Sequence, residues 1–290
     1  MTRQYFGGLN ALGSILAAVL WILPVSHAWE WRGYIAQETR LFLSDPLDAG
    51  QEHAGVSLAL EPRLHHDWAD DSQRLVFTPF IRLNERDDER THVDIRELYW
   101  EKIAPSHELR LGFRKVFWGV TESQHLVDII NQTDLVENID TEDKLGQPML
   151  NFAWINDWGA ISFFAMPYFR ERTFPGPVGR LRPNIPIETD AAEFESDAEQ
   201  WHPDFAVRFN RSAGSWDFGL SQFYGTSREP RLLPRLEGLS LELTAYYDII
   251  HQSGVDIQRT KGGWLWKFEG IHRSGQERTF TAITAGFEYT

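Results

Sequence analysis

Beyond residue 30 the chain alternates apolar and polar residues in long runs. Within 215–225, Trp216, Phe218 and Leu220 fall on one face and Asp217, Gly219 and Ser221 on the other. Within 264–273, Trp264, Trp266 and Phe268 stand against Lys267 and Glu269. Within 279–290, Ile283, Ala285, Phe287 and Tyr289 oppose Thr284, Gly286 and Glu288. A period of two marks β-strands with one apolar face. The pattern predicts twelve strands: 31–43, 53–65, 73–84, 93–103, 108–117, 149–156, 160–170, 202–210, 215–225, 253–260, 264–273 and 279–290. Many exceed the ~5–6 residues usual in soluble sheets and match the ~9–11 that cross a bilayer as a tilted strand. Pro79 falls inside 73–84, where it removes a ladder donor and demands a bulge or a break.

The period changes once, in 108–150. Leu109, Leu111 and Phe113 alternate with Arg110, Gly112 and Arg114 up to Trp118-Gly119. Thr121 to Gln124 then reads as a capping box, and Leu126, Val127, Ile129 and Ile130 follow at helical spacing. This predicts a short amphipathic helix over 122–131, between two strands and followed by an acidic run. A helix so short must shelter its apolar stripe. In a β-barrel the nearby shelter is the lumen, so the loop is expected to fold inward.

Alternation alone does not separate a soluble sandwich, or a soluble β-barrel around an apolar ligand, from a membrane barrel. In the membrane barrel the apolar face meets lipid and the polar face lines the lumen. Three features favour the membrane. Residues 1–28 read as a signal peptide: Arg3, an apolar run over 12–25, then Ser26-His27-Ala28 with small residues at −3 and −1. No later segment is a transmembrane helix, which leaves 29–290 as the barrel domain. Trp29, Trp31, Trp118, Trp158, Trp201, Trp216 and Trp264 sit near strand ends, as interfacial girdles do. The connections also sort by length. With the amino terminus in the periplasm, 44–52, 85–92, 118–148, 171–201, 226–252 and 274–278 lie outside. The tight ones, 66–72, 104–107, 157–159, 211–214 and 261–263, lie inside, as outer-membrane barrels require.

Charge and chemistry narrow the classes. A net charge of −14 argues against nucleic acid, whose binders are basic. The absence of cysteine excludes a disulfide framework and a thiolate metal site. His65-His66 lacks further ligands at metal spacing, and Ser123 and His125 lie near each other without a GxSxG elbow. No cofactor, metal or enzymatic activity is expected. The candidate pore-lining residues are Arg110 and Arg114 with Glu97 and Glu101 on the hairpin partner, and Lys267 with Glu269. They would form either a pore wall with a transverse field or an ion network in a closed barrel. Asp128, Asn131 and Asp134 are the candidate constriction-loop residues, or else a solvated face.

Three stretches carry a family resemblance. RKVFWGVTESQHLVDIINQTDLVENIDTEDKLGQPM, REPRLLP and SGVDIQRTKGGWLWKFEGIHR resemble an uncharacterised group of porin-like outer-membrane β-barrel proteins of Gram-negative bacteria. The resemblance implies an antiparallel transmembrane β-barrel in the cell outer membrane. By analogy it implies passive diffusion of small polar solutes, or else a closed structural or interaction barrel acting through its external loops. The implied partners are outer-membrane lipid and lipopolysaccharide, the outer-membrane assembly machinery and the solutes. The chain ends on Thr290 rather than on the aromatic residue common in such barrels, so further strands are expected beyond it.

Overall fold

The computed structural model describes residues 29–238 and 240–290, and the expected signal peptide lies outside the described residues. Fifteen strands follow in order: β1 (Glu30–Leu41), β2 (Ala54–Trp68), β3 (Gln73–Asn84), β4 (His92–Ala104), β5 (His107–Arg114), β6 (Gln147–Asn156), β7 (Gly159–Met166), β8 (Ile187–Phe194), β9 (Asp204–Ala213), β10 (Trp216–Thr226), β11 (Arg231–Glu237), β12 (Ser240–Tyr247), β13 (Ile249–Lys261), β14 (Trp264–Ser274) and β15 (Phe280–Tyr289). Among the described residues the only helical turn is a 3-10 turn at Glu199–Trp201. The fold is all-β.

Twelve strands form one antiparallel barrel wall, ordered β1-β2-β3-β4-β5-β6-β7-β9-β10-β13-β14-β15. These are the twelve that the alternation predicts, with ends moved by a few residues. β5 stops at Arg114, short of 117, and β13 begins at Ile249, ahead of 253. β1 and β15 each pair on one side only among the described residues. The turns β2–β3, β4–β5, β6–β7, β9–β10 and β13–β14 are tight, and every long connection lies at the opposite end. Pro79 is accommodated by a bulge. Thr78 pairs with Glu97 and Pro79 with Ile95, so Arg96 has no partner in the ladder. The extra residue lets Arg96 and Glu97 both turn to the inner side, a parity break that simple alternation does not predict.

The other three strands correct the sequence reading. The alternation places connections 171–201 and 226–252 outside and predicts no strand in either. Instead β8, β11 and β12 form a second sheet, with β11 antiparallel and β8 parallel to β12. It packs Phe169, Phe174, Ala245 and Tyr247 together at the end with the long connections.

Register assigns each wall residue a side. Glu101, Arg110, Asn151, Phe164, Ala206, Phe223, Gln252 and Arg273 form one inner row across β4 to β14. Outer rows include Leu109, Phe152, Phe163 and Val207, and Leu111 beside Leu150. The outer positions are apolar and exposed: Leu220 is 52 % accessible, Phe163 44 % and Ile283 72 %. The inner positions are buried and mostly polar or charged. This is the reverse of a soluble sheet, which turns its polar face to water.

Candidate functional site

Segment 115–146, between β5 and β6, runs through the interior. Trp118, Val127, Ile129 and Ile130 are buried against Met149, Phe164, Ala206, Phe223, Ile250 and Ile271, one from each of β6, β7, β9, β10, β13 and β14. Gly254 makes the close approach possible, because a Cβ there would meet Ser221 Oγ at 2.5 Å and Val127 Cγ1 at 3.1 Å. The inward folding of the loop is as expected.

The helix expected over 122–131 does not form. The Thr121 hydroxyl is shared between the Gln124 carbonyl, 2.6 Å away, and the Glu269 carboxylate, 2.8 Å away, and caps nothing. Glu269 overrides the local signal. Its Oε1 accepts N–H groups of Val120 and Thr121 at 2.7 and 2.9 Å, and its Oε2 accepts that of Val127 at 3.2 Å. A fully buried carboxylate that receives several N–H groups holds the backbone in an open arc, and a capping box supplies only about 1 kcal/mol against it.

The other flank is held by arginines. Arg82 of β3 donates to both oxygens of Glu137 at 2.8 Å, and Arg40 of β1 reaches the Glu137 carbonyl at 3.0 Å. Arg90 donates to the Val136 carbonyl at 3.1 Å. Arg96 of β4 pairs with Asp134 at 2.6 Å. Arg228 donates to the Ile130 carbonyl at 3.0 Å and pairs with Asp204 at 2.6 Å. Contacts from β1 through β14 show that the sheet curls around the segment.

The expected constriction residues are all internal, which overturns the solvated-face alternative. Asn131 ties the two arms of the segment together: its Oδ1 accepts the Val116 N–H at 2.7 Å, and its Nδ2 donates to the Arg114 and Leu145 carbonyls at 2.7 and 2.8 Å. Asp134 is fully buried between Arg96 and the Thr173 hydroxyl. Asp128 accepts the Trp118 N–H at 3.2 Å and faces Lys144 at 3.5 Å. Burial pushes the Asp128 carboxyl above the usual carboxylate range, and Lys144 opposes that only in part. The native segment therefore holds this proton more tightly than the unfolded chain does. The resulting stabilisation is complete below the ordinary carboxyl value and is lost as pH rises through the folded one. Amide exchange at Trp118 should slow on acidification towards pH ~4, and Asp128→Asn should remove that portion of the pH dependence.

The expected pore-lining residues all face inward. Arg110 pairs with Glu101, its register partner, and with Glu108. Glu97 lies 3.5 Å from Arg63. Lys267 pairs with Glu122 and Glu288, and Glu269 anchors the segment. Arg114 donates to Asn151 Oδ1 at 3.0 Å and stacks 5.0 Å from the Tyr99 ring. Sequence reasoning missed Arg208 and Asp256, which pair at 2.8 Å. They sit on β9 and β13, on either side of β10, and bridge over Gly219, where a Cβ would meet Asp256 at 2.2 Å. Parity alone places both inside, but their pairing depends on that missing side chain. A polar cavity of about 290 Å³ remains between residues 116–119 and the wall, bordered by Arg110, Arg114, Asn151, Ser162, Arg208 and Asn210.

One group of metal-capable side chains occurs among the described residues. His92, Asp134 and Glu137 bring ligand atoms within 4.8 Å of one another. Arg96 and Arg82 already neutralise the two carboxylates.

Comparison with protein-family models and with curated proteins returned no match. Among solved structures, the chain is similar to OmpT, an in-vitro folded outer membrane protein of Vibrio cholerae in its trimer form. The identity is 10 % and the TM-score 0.31, over 91 % of this chain and 84 % of that chain. These values are too low to assign a family or an activity.

Proposed function

We propose that this chain is an outer-membrane β-barrel protein whose lumen, narrowed by segment 115–146, passes small polar solutes as porin-like channels do. The observation that carries the reading is the inverted polarity of the wall, with an exposed apolar outside and a buried polar inside. Contiguous apolar faces of this extent on a protein surface mark a partner or a membrane. Here the face continues across eight strands, from Leu111 and Leu150 through Phe163 and Leu220 to Ile283. Bilayer lipid covers such a wall, with lipopolysaccharide at the end bearing the long connections, after insertion by the outer-membrane assembly machinery.

Aromatic clusters support the same orientation. Trp154 packs edge-on against Trp158, and Trp158 stacks on Phe209, beside the β6–β7 turn. Trp264 contacts Trp266 and Tyr289 beside the β13–β14 turn. These rings match a girdle at the periplasmic interface. The cavity beside residues 116–119 supplies polar lining on that side of the segment. The reading assigns the chain no catalytic step.

A second reading is favoured by the sheet of β8, β11 and β12, which packs at the end with the long connections. There the barrel is closed, and its external face makes the contacts. Planar-bilayer recording of the reconstituted chain separates the two. The channel reading expects small conductance steps that grow when residues 122–142 are deleted. If folded protein gives no steps and the deletion opens none, the closed barrel is the correct reading.

A further inference from the structure

In a chain of net charge −14, one internal cavity is bordered by three arginines and no carboxylate. Two of those arginines are neutralised by carboxylates that do not border the cavity. Arg110 is held by Glu101 and Glu108, and Arg208 by Asp256. Arg114 is different. Among the described residues no carboxylate pairs with it. Its guanidinium makes a single protein hydrogen bond, to Asn151 Oδ1, and its Nε is buried without an acceptor. Tyr99 covers one face of the group and gives orientation without neutralising it.

Neighbouring donors are also free. Asn210 accepts from Arg208 Nε through its Oδ1 at 2.9 Å, which leaves its amide NH₂ to donate. The Ser162 hydroxyl borders the same cavity and has no partner among the described residues. One unpaired guanidinium, an amide and a hydroxyl make a donor set without a competing acceptor charge. An arginine presents planar, paired N–H groups that match an oxyanion. Arg114 is half-buried with its Nε fully enclosed, and an anion in the cavity would supply the charge partner that it lacks among the described residues.

We propose that this cavity is a binding site for a small oxyanion, a phosphate or carboxylate group, with Arg114 as the charge that recognises it and Ser162 and Asn210 as auxiliary donors. This goes beyond the channel reading and does not depend on it, because a closed barrel retains the cavity.

The test is calorimetric titration of the folded, detergent-solubilised chain with inorganic phosphate. The wild type is expected to show saturable binding. Arg114→Gln removes the charge and should weaken binding by roughly tenfold or more, the scale of one charge-assisted contact. Arg114→Lys keeps the charge without the planar fork and should retain part of the affinity. Arg259→Gln removes an arginine stacked 4.6 Å from the Trp216 ring, away from the cavity, and should leave binding unchanged. Heat-modifiable migration confirms that each variant is folded. No saturable binding by folded wild type would overturn the site, as would a folded Arg114→Gln variant that binds like wild type. Conductance is read separately, so an anion site in a silent barrel would stand while the channel reading fell.

Discussion

Replacing Glu269 with alanine is expected to release segment 115–146 from the β14 side of the wall. The carboxylate accepts three backbone N–H groups and lies 2.8 Å from the Thr121 hydroxyl, all buried or nearly so. Each buried donor left without a partner costs about 1–3 kcal/mol, so the local loss is roughly 3–5 kcal/mol once water has entered. The wall should survive, because the ladders on both sides of Glu269 are made by backbone groups that the substitution leaves in place. The readout is limited proteolysis within 120–145, together with larger and noisier conductance steps. Glu269→Gln keeps one acceptor oxygen but turns an NH₂ toward the Val127 N–H or the Thr121 side, so it should fall between wild type and alanine. A segment as resistant to protease in the alanine variant as in wild type would show that Glu269 is not its anchor.

The second large effect concerns the outside of the wall. Phe163→Arg or Leu220→Arg places a cation in the exposed apolar face. In a bilayer the cost near the midplane is ~2–4 kcal/mol, enough to depress assembly strongly. In a water-exposed sheet the same substitution stays within about 0.5 kcal/mol. The yield of heat-modifiable, membrane-inserted protein separates these two cases. Normal yields of both variants would remove the bilayer from the account.

Much of the wall is legible in the sequence, for a simple reason. A strand buried on one side and facing a uniform medium on the other writes a period of two, and twelve strands do so here. The Glu101–Arg110 pair is readable from the same parity and a short hairpin. What fails are features decided at a distance. The capping box at Thr121 is local, while Glu269 lies 148 residues away in sequence and wins. β8 and β12 are short and pair with each other across more than 40 residues, so neither announces a partner. Glu97 follows the simple parity of Glu101, whereas Arg96 faces inward only because the bulge opposite Pro79 resets the parity of β4. Arg114 is singled out by the partners it lacks, and a sequence does not record those.

The absence of cysteine allows one direct test of the central claim, that the outer face meets lipid and the inner face does not. Leu220 and Ser221 are consecutive on β10 and face opposite ways, outward and inward. Single variants Leu220→Cys and Ser221→Cys, each carrying a small fluorophore, would be reconstituted in vesicles containing nitroxide-labelled lipid. The account predicts strong quenching at Leu220 and little at Ser221. Equal quenching at both positions, or none at either in folded protein, would contradict it.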